Sequence, residues 1–172
     1  MNAITVPDES VLFGTSIEPE TNRRLQLAVS TRHHNRFLAE QMLWEARAED
    51  PGCLPVYFAL YKFYANVKRL ADAERAARLA LAMAAWQGGF PADWTALGAS
   101  ASRFDPYASE AGRYYLHSLK ALAFVRLRRG ATAEAGEILL HLQRLDPEDR
   151  SGASVIRALA ESCGANLERP SP

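Results

Sequence analysis

Apolar positions recur at helical spacing along most of this chain, and turn-forming residues between them mark the boundaries. Residues 1–18 mix Pro, Gly, Ser and Thr with short apolar patches and hold no sustained period, which predicts a mobile tail. Pro19 suits a first helical position, and Leu25, Ala28, Val29 and Arg32 follow it at helical spacing. His33-His34-Asn35 is the expected break before a second helix over about 35–49. Asp50-Pro51-Gly52 stops that helix, because proline cannot donate to the helical ladder. Pro55 opens a third helix, about 55–66, and a fourth follows at about 69–86, ended by Gly88-Gly89.

The pattern then breaks. Residues 87–109 carry Gly88, Gly89, Pro91, Gly98, Pro106 and several serines, with room for a short helix near 91–100. Asp105-Pro106 reads as an N-cap and first-turn pair for a long helix of about 106–129, closed by Gly130. Thr132 is the expected cap of a helix over 132–145, and Asp146-Pro147 ends it. A last helix is predicted at about 152–163, stopping at Gly164, with residues 166–172 frayed. The expected organisation is therefore one helical domain over 19–165, with 87–109 as an irregular insertion.

An internal period runs through this series. AEQMLWEARAEDP from Ala39, AERAARLALAMAA from Ala73 and AGEILLHLQRLDP from Ala135 align. Each begins on alanine, has Leu43, Ala77 or Leu139 four residues on, and Ala46, Ala80 or Leu142 seven on. The twelfth residue on is Pro51, Ala85 or Pro147. In the helix before the middle copy stand Tyr57, Leu60, Tyr61 and Tyr64; before the last stand Leu119, Leu122, Ala123 and Arg126.

This pattern resembles the tetratricopeptide repeat, with Tyr57, Leu60, Tyr61 and Tyr64 at its Trp, Leu, Gly and Tyr positions and Ala85 replacing its proline. The resemblance covers about residues 20–147. It implies an all-α fold of antiparallel hairpins stacked as a short solenoid of about seven to eight helices. Neighbouring hairpins then cover the apolar faces that one hairpin leaves open. By length and repeat count the chain is also similar to the small bacterial tetratricopeptide chaperones of secretion systems, although those usually stack consecutive repeats.

In that family the first helix of each pair lines a concave groove for peptides. The resemblance places Phe58, Lys62, Ala65 and Asn66 in such a groove, joined by His117, Lys120, Phe124, Leu127 and Arg128. These positions do not reproduce the carboxylate-clamp set of the chaperone-tail-binding repeats. Cations interleaved with aromatic surface suit a protein or peptide partner that is acidic and partly apolar.

Composition agrees with the helical period. Thirty Ala and 21 Leu against 11 Val plus Ile favour helix over strand. Lys+Arg and Asp+Glu are both 20, so the formal net charge is zero, which argues against a nucleic-acid or membrane-surface partner. The zero is a cancellation between segments. Residues 1–22 hold Asp8, Glu9, Glu18 and Glu20 and no base; residues 110–130 hold five bases and one acid. The acidic tail also carries Val11, Leu12, Phe13 and Ile17, which makes it a candidate ligand for a basic groove.

Trp86, Phe90, Trp94, Phe104 and Tyr107 crowd the insertion. They either tether a long connection to the core or form a second interface, through which a structural subunit would dimerise or join an assembly. Phosphate-loop, dinucleotide and nucleophile-elbow motifs are absent, and His33, His34, His117 and His141 lack metal-ligand spacing. Glu134 and Glu137 share a helical face, as is ordinary for exposed helices. Cys53 and Cys163 read as reduced thiols of a cytoplasmic protein. The expectation is a non-enzymatic adaptor or small chaperone without cofactor or metal.

Overall fold

The computed structural model describes residues 17–99 and 105–167, leaving most of the expected tail and Phe104 outside the described residues. Seven α-helices follow one another: α1 (Pro19–Thr31), α2 (Arg36–Glu49), α3 (Leu54–Asn66), α4 (Leu70–Gly88), α5 (Glu110–Arg128), α6 (Thr132–Leu145) and α7 (Ser154–Leu167). A short 3-10 helix, Trp94–Ala99, lies between α4 and α5, and no strand occurs among the described residues. The fold is all-α. Three antiparallel hairpins, α1–α2, α3–α4 and α5–α6, stack in chain order, and α7 packs on α5 and α6.

The aligned triads explain the stacking. Ala39, Leu43 and Ala46 on α2, Ala73, Ala77 and Ala80 on α4, and Ala135, Leu139 and Leu142 on α6 are all at most 3% exposed. Small residues on that stripe let the neighbouring helix backbone come close. The most extensive seam, α4 against α5, sets Ala77, Ala84 and Ala85 among Leu119, Leu122 and Tyr115 in one core cluster. A second cluster joins Leu25, Leu43, Val56, Leu60 and Phe63 across the first two hairpins. Cys53, whose thiol burial pushes up to about 11, lies at the edge of that cluster.

Polar nodes fix the seams at their ends. Glu74 on α4, only 7% exposed, receives Arg78 at 2.8 Å together with Arg126 and Arg129 from the end of α5. Arg126 and Arg78 also reach Glu134 on α6, so this node ties three helices. Burial by itself would raise the Glu74 carboxyl; hydrogen bonds from Arg78 and Arg126 overcome that and hold it below the usual carboxylate range. On the first two hairpins, Trp44 donates to Tyr64 Oη at 2.8 Å and Tyr64 donates to Glu40 at 2.7 Å. Arg69 also donates to Glu40, at 2.7 Å.

The helices depart from the expected boundaries in three places. Helix α5 begins at Glu110 rather than Pro106, because Ser109 accepts from Gly112 N at 3.0 Å and supplies the cap. Asp105 instead accepts from Tyr107 N at 2.9 Å and turns the chain. The residues before the cap lie so close over α5 that a Cβ on Gly112 would sit 2.2 Å from the Pro106 carbonyl oxygen. Ala131, not Thr132, is the N-cap position of α6, and no side chain caps it. Helix α7 runs through Gly164 to Leu167, since one glycine costs a helix only about 1 kcal/mol.

Candidate functional site

Helical spacing puts Phe58 and Lys62 one turn apart on α3, and His117, Lys120 and Phe124 successively along α5. Both helices come first in their hairpins, and these side chains lie on the side that the second helices leave open. The Phe58 ring stands 6.1 Å from His117 and 6.3 Å from Tyr114, so the two helices meet through aromatic edges. Phe58, Tyr61, Lys62, His117, Lys120 and Phe124, with Ala121 and Ile156, line a depression of about 400 Å³.

A second depression, about 410 Å³, opens between α1 and α3. Its walls are small or aliphatic (Ala28, Val29, Leu43, Ala59 and Ala65), and Arg32, Lys62 and Asn66 also line it. Tyr61, Lys62 and Phe124 line both depressions, which therefore adjoin and together form a groove bordered by α1, α3, α5 and α7. Of the residues expected here, Phe58, Lys62, Ala65, Asn66, His117, Lys120 and Phe124 come together. Arg128 lines neither depression; its guanidinium lies 5.9 Å from the Phe124 ring centre, one turn beyond. Leu127 is buried and faces inward.

Aromatic rings and backbone hold the groove's cations. Lys62 Nζ sits 5.0 Å from the Phe58 ring centre, and Lys120 donates to the Ser151 carbonyl. The loop bearing that carbonyl is shaped by Asp146, which accepts from Ser151 N at 2.8 Å and Arg150 N at 3.1 Å. Burial lowers the Lys120 ammonium below the ordinary lysine value, and Asp149 and Asp146 partly offset it. Burial likewise lowers His117, and the positive charges of Lys120, Lys62 and Arg113 reinforce the shift. His117 is therefore a neutral imidazole at neutral pH, and the groove's positive charge comes from its lysines and Arg32.

Tyr61, Ile156 and Arg32 belong to the groove although the repeat pattern did not single them out. Tyr61 carried a signal: it stands where the tetratricopeptide pattern has glycine, and that large side chain is the wall shared by both depressions. Burial pushes its phenol up to about 12. Ile156 carried no such signal, because α7 lies outside the repeat.

The insertion aromatics are used differently from one another. Phe90 packs 5.5 Å from Tyr115, Trp94 lies 5.3 Å from His141, and the Arg150 guanidinium sits 3.8 Å from the Tyr107 ring centre. These three tether the connection to the core of the last hairpin. Trp86, at 77% exposed, does not. The Arg126, Arg128 and Arg129 run also divides, since Arg126 and Arg129 are committed to Glu74. Among the described residues no three His, Cys, Asp or Glu side chains gather as a metal site, and no helix is long and apolar enough to cross a membrane.

The chain is 33% identical over 122 residues to the "Uncharacterized 19.8 kDa protein in nifW 5'region" of Azotobacter chroococcum mcd 1, across 69% of this chain and 67% of that protein. It belongs to that protein's family. No family model matches the chain, and no solved structure does.

Proposed function

We infer that this chain is a tetratricopeptide-like, non-enzymatic adaptor or small chaperone that holds an acidic, partly apolar segment of a partner protein in the α1/α3/α5/α7 groove. The observation that carries this reading is that the two depressions adjoin along Tyr61, Lys62 and Phe124. A groove with an apolar floor takes leucine- or phenylalanine-sized anchors, and removing them from water drives association. Lys62, Lys120 and Arg32 then select acidic over basic segments, because a like charge beside them would be desolvated without a partner.

The experiment is affinity capture from an extract of the native cell with the wild-type chain, Lys62→Glu and Arg75→Glu. Arg75 is exposed on α4 and pairs with Asp72, away from the groove. The expected result is one partner retained by the wild type and by Arg75→Glu and lost by Lys62→Glu. Equal retention by all three chains overturns the groove reading.

A further inference from the structure

A segment of chemistry matching the groove stands in the same chain. Residues 6–13 read Val-Pro-Asp-Glu-Ser-Val-Leu-Phe: two adjacent acids flanked by apolar residues, with no base anywhere in residues 1–16. The groove presents the complement, with Lys62 between two apolar depressions and Lys120 beside the one at Phe58.

The point of attachment is also favourable. Ile17, the first described residue, lies with Cys53, Leu54 and Pro55 at the start of α3 and with Glu110 at the start of α5. The chain therefore enters the fold at the ends of the two helices that form the groove. From Leu54 to Phe58 is one helical turn, about 6 Å along α3, and Lys62 is about 6 Å further. Phe13 is four chain steps from Ile17, a reach of at most about 14 Å, and the acids Asp8 and Glu9 have about twice that.

We propose that residues 6–13 are the resting occupant of the groove, with Leu12 and Phe13 at the Phe58–Phe124 depression and Asp8 and Glu9 facing Lys62 and Lys120. The inference rests on the groove reading above and adds its regulation: a partner gains the site by displacing this segment. Tethering supplies an effective concentration on the order of 1 mM. A segment whose affinity as a separate peptide is about 100 µM then leaves about one groove in ten open, and weakens any competitor about tenfold.

The test uses the full chain and, as probe, a fluorescently labelled synthetic peptide of residues 1–16. Charge reversal in the tail, Asp8→Lys with Glu9→Lys, should free the groove and tighten binding of the wild-type peptide about tenfold over the unaltered chain. Adding Lys62→Glu to the reversed chain should abolish that gain. Equal affinities for the unaltered and the reversed chain overturn the proposal, as does a gain that survives Lys62→Glu. A Lys62-dependent partner in the capture experiment alongside equal peptide affinities would remove the tail as occupant and leave the adaptor reading standing.

Discussion

Two groups of cations lie on this molecule and are used in opposite ways. Arg78, Arg126 and Arg129 converge on the buried Glu74, joined by Glu134, and lock α4, α5 and α6 together. Lys62, Lys120 and Arg128 contact the Phe58 ring, the Ser151 carbonyl and the Phe124 ring, and border or adjoin open apolar surface. The first group satisfies a carboxylate that would otherwise be stranded away from water. The second is set against aromatic rings and a backbone carbonyl at the edge of a groove. Similar side chains thus stand in different settings, arginines drawn onto a carboxylate shared by three helices on one face and cations set against rings and a backbone carbonyl on the other.

The sharpest way to break that contrast is Glu74→Ala. It should cost about 2–3 kcal/mol in urea unfolding, below the value for a fully buried pair because Arg78 and Arg129 are partly exposed. A loss under about 0.5 kcal/mol would make the node as dispensable as a surface pair. Tyr64→Phe removes a hydroxyl that accepts from Trp44 and donates to Glu40, and should cost about 1–1.5 kcal/mol by the same measurement.

Acidification probes the groove and the core beside Trp94 through histidine. Burial lowers His117 in the groove, and also His141 beside Trp94; among the described residues His141 Nε2 finds no hydrogen-bond partner. The folded state therefore binds protons more weakly than the unfolded chain, so stability falls as pH drops below the ordinary histidine value of about 6.5. The melting midpoint should decrease between pH 7 and pH 5, before the lowered carboxylates of Glu74 and Asp146 contribute their own loss at lower pH. A midpoint unchanged over that range would contradict the histidine assignment. The smallest effect on folding is expected from Lys62→Glu, about 0.5 kcal/mol or less. That variant separates recognition from cohesion: the same protein should lose partner capture while melting almost as the wild type does.

The helices and their inward stripe were legible in the primary structure because helical packing is periodic and local. Ala39, Ala73 and Ala135 announced one buried position in three hairpins, and all are fully enclosed. The start of α5 was not legible: Asp105-Pro106 and Ser109 are both acceptable helix starts. The choice fell to the second, with the Pro106 backbone lying against Gly112. The first-helix residues of the groove followed from repeat geometry, whereas Ile156 came from a helix outside the repeat.

By itself, then, the sequence determined that this chain is helical, where its hairpins turn, and which small residues face inward, since those properties depend on neighbours a turn or two away. Tertiary structure decided which arginines are neutralised and which cations border the groove. It also decided that Phe90, Trp94 and Tyr107 close on the core while Trp86 does not. The physical reason is range. Glu74 and Arg129 lie 55 residues apart along the chain, and no local pattern records that packing α5 on α4 brings them together.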